Sequence, residues 1–453
     1  MISSAQPFQK HKAVELIIQA ALHAVDPHQV VRNSMQMNGT FLQIQGKSVD
    51  LASYENVFLI AIGKASQKMT KAGDDLFGNF VTKSIVLSKH IDPSVQLPNK
   101  YELITGGHPV PTLESMLAAR KILDLAKSAG KNDLVLFFIS GGGSALMTLP
   151  EDGITLEEMQ DCSRLLLASG ADIHEFNAVR KHLDQVKGGK LALAASPAVC
   201  FSCILSDVVG SSLSSIASGP TVPDPTTFID ACDVIKKYKL SDRLPESIGS
   251  VLQKGMEKKI PETLKPNLLP PASFSNFLLA ENRTAAEAAA SEAQKHGFHT
   301  LILTTSLTGE ASQAGKFLAS ILKEMTRENA FLKKPALVIA GGETTVTLKG
   351  KGIGGRNLET ALGAVESMRD LDHVALITLA TDGEDGPTDA AGAIVTGKSW
   401  QEGLEKGLDV RLCLEKNDSY TYFHKIQGLI QPGVTGTNVN DLNFLFSFAD
   451  QDL

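Results

Sequence analysis

Between positions 341 and 392 this chain strings small, acidic and basic residues onto the ends of apolar runs. PALVIA (335–340) stops at Gly341, Gly342 and Glu343, and HVALITLA (373–380) stops at Thr381, Asp382, Gly383, Glu384 and Asp385. Between the two runs a glycine-rich turn ends in Gly354 and Gly355 and delivers Arg356 and Asn357 to the start of an amphipathic segment. Glycine N–H groups, a helix N-terminus and a guanidinium can converge there on an anion. With acids alongside, the layout suits a phosphorylated, metal-bound ligand.

The first half is loaded in the same way. Gly63 and Lys64 follow VFLIAI, the run Ser140, Gly141, Gly142, Gly143, Ser144 follows LVLFFI, and Ser206 and Asp207 follow VCFSCIL. Phosphoryl transfer needs positive charge and dipoles around the moving group, acids to hold Mg²⁺, and a grip on the acceptor. SGGGSAL could wrap a phosphate or carboxylate with backbone N–H groups, or be a tight turn and no more. Lys64 opens a predicted helix, where the dipole disfavours a cation, so it calls for an anionic partner. Asp207, Glu343 and Asp382 are the candidate metal ligands. Arg180 and Lys187, seven apart on one helix face, could neutralise a substrate carboxylate or form an ordinary solvated basic face.

These residues need rigid elements to position them. Strands are predicted at 57–62, 84–88, 134–139 and 199–205, and helices at 12–25, 66–77, 112–128, 155–169, 174–187 and 227–238. Thr155 and Glu158 have capping-box spacing. The stretch 239–274 carries five prolines (245, 261, 266, 270, 271) and no strand run, and reads as a linker. The pattern resumes with FLLA (277–280), a helix from Arg283, the strand HTLILTT and a helix from Gly309. Alternating strands and helices predict an α/β fold of two domains with mainly parallel sheets. The boundaries are 1–240 for a Rossmann-like N-terminal domain, 241–274 for the linker and 275–453 for the C-terminal α/β domain. Ligands of such sheets bind beyond the C-terminal strand ends, so the site is expected in the interdomain cleft.

Composition narrows the function classes. At 453 residues the chain exceeds a single small core, and a net charge of -7 with one Trp and five Tyr leaves neither a basic footprint nor stacking platforms for nucleic acid. Five scattered cysteines suit reduced thiols in a cytoplasm. Cys200 and Cys203 form a CxxC inside a strand-like run, where residues three apart point to opposite faces, so both are expected as core filler. The N-terminal apolar run is broken by Glu15 and Gln19, which fits an amphipathic helix better than a secretory segment. A cytoplasmic protein with a small-molecule substrate, no nucleic acid or membrane partner, and room for a homodimer is the expectation.

Two short motifs point elsewhere. GAIVTGKS (392–399) has the spacing of a phosphate-binding P-loop, yet its variable positions are strand residues and no apolar strand precedes it. GKGIGG (350–355) fits GxGxxG between a predicted strand, TVTLK, and a helix. It supports a rival reading as an NAD(P)H-dependent hydroxypyruvate or tartronate-semialdehyde reductase, against which stands the acid-rich loop at Asp382, Glu384 and Asp385. A non-catalytic sugar-acid sensor is a third reading.

Several blocks together resemble a known family. GGRNLE and TDGEDGPTDAAG resemble the signature of the MOFRL domain of glycerate kinases. The resemblance extends through IGKAS (62–66), ITGGHPVP (104–111), ISGGGSALM (139–147), NAVRKHLDQVKGGKLA (177–192), LSDVVG (205–210), IASGPTVPDPTT (216–227), NDSY (417–420) and GVTGTNVNDL (433–442). It implies a C-terminal MOFRL-type domain and ATP- and Mg²⁺-dependent phosphorylation of D-glycerate to 2-phosphoglycerate. It also implies catalytic roles for the lysine of IGKAS and the arginine of GGRN, here Lys64 and Arg356. The chain departs from the family pattern at Ser211 and Ser212, where acidic residues are usual, at Leu358 and at Val434.

Overall fold

The computed structural model describes residues 12–266, 268 and 273–449. The chain forms two compact units. One runs from Pro27 to Leu279, and the other joins the described residues up to Asp26 with those from Ala280 onward.

This division differs from the expected boundaries at both ends. The N-terminal helix Lys12–Ala24 buries Ala13, Val14, Ile17, Ile18 and Ala21, and packs on the alanine-rich helix Asn282–Lys295 of the second unit. Its apolar stripe, correctly read as amphipathic, is therefore satisfied by residues far away in sequence. The expected linker is also built into the first unit. Helix Glu246–Met256 packs Ile248, Val251 and Leu252 into a cluster with Phe228, Ala231 and Leu183. Further on, Leu264 is fully buried and its N–H donates to the Gly188 carbonyl at 2.9 Å. The pair Pro270 and Pro271 lies outside the described residues.

In the first unit a small antiparallel meander comes first: β1 (Met35–Asn38), β2 (Phe41–Ile44) and β3 (Lys47–Asp50). The main sheet follows, with β4 (Asn56–Ile62), β5 (Val81–Ser88), β6 (Tyr101–Thr105), β7 (Asp133–Ile139), β8 (Val199–Leu205) and β9 (Phe274–Ala280). Their order is β6-β5-β4-β7-β8-β9, and the pairs from β6 through β8 are all parallel. β4 and β7 are buried almost end to end, as strands covered on both faces must be. One face packs Phe58, Ile60, Val135 and Phe137 against Ala118, Ile122 and Leu125 of helix Leu113–Lys127. Cys200 and Cys203 are buried free thiols on β8, as expected of core residues.

The second sheet contains β10 (His299–Leu307), β11 (Ala336–Gly342), β12 (Val374–Ala380), β13 (Gly392–Thr396), β14 (Leu429–Ile430) and β15 (Asp441–Ser447), in the order β10-β11-β15-β12-β13-β14. Here the expectation of mainly parallel pairing fails. Among the registered pairs only β10–β11 is parallel, because β15 inserts antiparallel between β11 and β12. The insertion matters chemically: Asp441, the first residue of β15, lies opposite both Gly342 and Ala380. A carboxylate is thereby delivered to the sheet end where β11 and β12 terminate. Among the described residues no helix is long and apolar enough to cross a membrane.

Candidate functional site

In the first unit the chain leaves β4 towards β5 and β6 on one side, then returns to β7 and β8 on the other. The ends of β4 and β7 therefore form a topological switch point, where open α/β sheets bind ligands. Backbone bonds lock the two turns together: Ser140 N–H donates to Ile62 O at 2.9 Å, and Lys64 N–H to Gly141 O at 2.9 Å. Gly63 has φ 119°, and a Cβ there would stand 2.3 Å from Ser140 Oγ, so no other residue fits. Ser140 itself is buried, and its hydroxyl accepts the Ala65 N–H at 3.1 Å at the start of helix Ser66–Phe77. The Ser140 hydroxyl and N–H are thus both bonded within the turn pair.

Lys64 is half-buried, and among the described residues no group hydrogen-bonds or ion-pairs with its ammonium. Asp207 stands nearby, its carboxylate pressed against Gly141 and accepting the Gly142 N–H. Burial raises the Asp207 pKa, and the charge of Lys64 opposes that rise. Gly143 and Ser144 open a one-turn helix, Gly143–Leu146. Ser144 Oγ lies 2.8 Å from Ser218 Oγ, which in turn donates to Asn177 Oδ1 at 3.2 Å. Three residues beyond Asn177, on helix Ile173–His182, Arg180 stacks over the Phe176 ring at 4.1 Å and makes no close ion pair among the described residues, though the charge of Asp184 acts on it. Burial pulls its pKa down to about 10.

Lys187 answers neither expectation. It is fully buried, donating to Asp184 Oδ2 at 2.6 Å, Met147 O at 2.6 Å and Thr148 Oγ1 at 3.2 Å. Three donors and three acceptors close the account, leaving nothing for a substrate. The residue that sequence reasoning passed over is His108. Its ring lies beside Gly142 together with the stem of Lys64, and the block GGHPVP was its only signal.

In the second unit Arg356 is the centre of an acidic cluster. Its Nε donates to Asp441 Oδ2 at 2.6 Å, Nη2 to Asp441 Oδ1 at 3.1 Å, and Nη1 to Glu343 Oε1 at 2.6 Å. Three of the five guanidinium donors are thus occupied, and the fork expected to face phosphate faces Asp441. Glu343 also accepts from Asn440 Nδ2 at 2.7 Å. Burial lifts the Asp441 pKa to about 6 in spite of Arg356, while its partners hold Arg356 charged against its own burial.

The start of helix Arg356–Val365 is also taken. Asp385, buried, accepts the N–H groups of Asn357 at 3.0 Å and Leu358 at 2.8 Å. The glycine turn before it is claimed by the NDSY segment. Lys349 N–H and Gly350 N–H both donate to Asn417 Oδ1, and Ile353 N–H to Asp418 Oδ1. A Cβ at Gly350 would be 2.2 Å from Lys416 O, and one at Gly352 2.5 Å from Asp418 Cβ, so close approach of the chain to itself explains these glycines. TVTLK, the strand required ahead of a dinucleotide turn, is absent apart from one bridge at Thr345. Much of the helix N-terminus and glycine turn predicted to bind an anion, the N–H groups of Lys349, Gly350, Gly352, Ile353, Asn357 and Leu358, is therefore taken from within the protein. Asp382 is different: half-buried, its carboxylate accepts only the Glu384 N–H, at 3.3 Å, and has no cationic partner among the described residues. Nor do those residues include any group of three or more His, Cys, Asp or Glu side chains gathered as a metal site. Lys398, in the P-loop-like motif, is exposed between β13 and helix Ser399–Glu405.

Comparison with known proteins places this arrangement. Residues 13–253 match the family described as "Domain of unknown function (DUF4147)", and residues 336–441 match the MOFRL family. The chain is 42% identical to the glycerate 2-kinase of Pyrococcus horikoshii, over 94% of either chain. It is similar to the crystal structure of glycerate kinase from Thermotoga maritima with a TM-score of 0.85 and 39% identity, covering 97% of this chain and 100% of that one. A putative hydroxypyruvate reductase of Agrobacterium vitis is 39% identical over 85% of each chain.

Proposed function

The chain belongs to the glycerate kinase family that carries the MOFRL module, and from that premise we propose that it transfers the γ-phosphoryl group of ATP to the 2-hydroxyl of D-glycerate. The observation that carries the reading is Lys64. A half-buried ammonium with no hydrogen bond or ion pair among the described residues and only the more distant charge of Asp207 to offset it, at a switch point and beside a glycine turn, needs an anion to complete it. A phosphate of the nucleotide supplies that charge. Arg180, a partly buried guanidinium of the first unit, takes the glycerate carboxylate, to which a guanidinium fork is matched.

Mg²⁺ binds through one or two carboxylates plus phosphate oxygens and water, so it needs no protein cage of three acids. The donors present fit such an ion: either Asp382 or Asp207 offers a carboxylate without an ion-pair partner among the described residues, whereas Glu343 is committed to Arg356 and Asn440. Bound there, the metal would neutralise charge on the transferring phosphate. Arg356 then acts chiefly by fixing Glu343 and Asp441, with two N–H donors to spare. The five free thiols suit a cytoplasmic setting.

The reductase reading loses its structural premise, because its glycine turn lacks the preceding strand and is packed on residues 416–418. The test is direct. Purified protein is incubated with D-glycerate, ATP and Mg²⁺, and the product is passed to enolase alone, which consumes 2-phosphoglycerate and leaves 3-phosphoglycerate. Oxidation of NADH by hydroxypyruvate without ATP consumption, or a product inert to enolase, would overturn the proposal.

A further inference from the structure

His108 occupies a position that the roles assigned above do not use. It follows β6 in the segment Gly106–Pro109, anchored by Gly106 N–H to Ser88 O at 3.0 Å and by Gly107 N–H to Ser115 Oγ at 2.9 Å. That anchoring carries the ring to the same end of the sheet as Lys64 and the glycine turn. A Cβ built on Gly142 would lie 3.1 Å from His108 Cδ2, 3.3 Å from its Nε2 and 3.2 Å from Lys64 Cγ. Imidazole and lysine stem thus flank one glycine, and Asp207 accepts that glycine's N–H. The imidazole is half-buried, and among the described residues neither ring nitrogen has a hydrogen-bond partner. No carboxylate fixes it and no backbone carbonyl takes its proton, which sets it apart from His182, held at both nitrogens by Ala178 O and Glu262.

Phosphoryl transfer to an alcohol must dispose of the hydroxyl proton, and this unit supplies few groups that could take it. Lys64 and Arg180 are cations. The Asp207 carboxylate already accepts a backbone N–H and lies against Gly141. We infer that His108 is the general base of the reaction: its free ring nitrogen receives the proton of the acceptor hydroxyl. The O–H bond breaks as the oxygen bonds to the γ-phosphorus. The bond from that phosphorus to the bridging oxygen breaks, and its electron pair leaves with ADP. The proton passes from His108 to water after product release. The inference rests on the kinase reading given above.

The charge environment agrees. The charged groups facing the ring are Lys64, from the turn after β4, and Lys89, from the end of β5, while Asp207 acts on Lys64. Burial first, then these two lysines, pull the His108 pKa down to about 4, so at neutral pH the ring is uncharged and carries a lone pair. When phosphate pairs with Lys64 the repulsion weakens and the ring becomes more basic, as a base poised for the bound complex should.

The experiment compares wild type, His108→Gln and His108→Ala with saturating ATP and glycerate, alongside thermal melts. Both variants are expected to melt with wild type, to lose roughly 10²- to 10⁴-fold in kcat, and to keep KM for both substrates within about threefold. Added imidazole should restore part of the His108→Ala rate and do nothing for Lys64→Ala. In wild type the acidic limb of kcat should lie at higher pH than that of kcat/KM, and it should vanish in His108→Gln. A His108→Gln enzyme that turns over within threefold of wild type, or whose loss appears only in KM, overturns the inference, as does an unmoved acidic limb. If wild type itself makes no phosphoglycerate, the kinase reading fails instead.

Discussion

Two lysines can each claim a phosphate, and the structure separates them. Lys398 has the better-known motif, but it is exposed beyond a fully buried strand, and the hydroxyls of Thr396 and Ser399 tie that turn into itself. Lys398→Ala is expected to change stability by no more than about 0.5 kcal/mol and to leave kinetics untouched. Lys64→Ala should forfeit about 3 kcal/mol of transition-state stabilisation, read as kcat/KM for ATP. Glu359 makes a second prediction at this scale. It is buried in helix Arg356–Val365, and burial pushes its pKa up to about 7 against a hydrogen bond from Asn417. A folded pKa above the unfolded value means that its contribution to stability is complete below about pH 4 and is lost as pH rises through 7. Glu359→Gln should therefore match wild type in urea melts at pH 4 and exceed it by up to about 3 kcal/mol at pH 8. A gap of equal size at both pH values would refute the assignment. Among single residues, Lys64 was conspicuous in the sequence because a cation at a helix start has few purely structural explanations, and its role remains part of the proposal above. His108 and Asp441 were not, since a histidine in a loop and an acid at a strand start say nothing about which neighbours tertiary structure will give them.

At the scale of elements, long apolar strands were read nearly to the residue. β7 was expected at 134–139 and runs Asp133–Ile139, and the helix capped by Thr155 and Glu158 spans Leu156–Ala168 with its capping box formed. What escaped was pairing direction and anything with a thin pattern. The strands of the meander are four residues each, and nothing local to β15 announces that it runs against its neighbours. The helix start at Arg356 was predicted correctly and its partner was not. A buried carboxylate from another loop occupies the N–H groups that looked free for an anion. Asp385→Ala should consequently cost about 1–3 kcal/mol by leaving those donors unpaired inside the protein. Asp385→Asn, which keeps an acceptor oxygen in place, should recover most of it. Denaturation of both variants at pH 8 decides. If Asp385→Ala is as stable as wild type, water or another group must reach the helix end.

At the scale of the whole molecule, one unit is inserted within the sequence of the other, so the host unit is assembled from both ends of the chain. This could not be read from composition, because the helix Lys12–Ala24 looks like any surface helix until its partner is known. A fragment spanning 27–279 should unfold cooperatively on its own. A fragment starting at Ala280 should be destabilised, and a fused or added 12–26 segment should restore it, by covering the alanine face of helix Asn282–Lys295 and the Thr437 hydroxyl that bonds Val25 O at 2.6 Å. Circular dichroism melts of the three species test this; equal stability with and without the segment would contradict it. The insertion also imposes an order of events during synthesis. The helix Lys12–Ala24 meets its docking surface only about 250 residues after it is made, and at ~5–20 residues per second its apolar stripe is bare for roughly ten seconds to a minute. In that interval the intervening unit can already have folded, so the nascent chain passes through a state with a finished sheet and an orphaned amphipathic helix, the kind of segment a chaperone would hold until helix Asn282–Lys295 has been made.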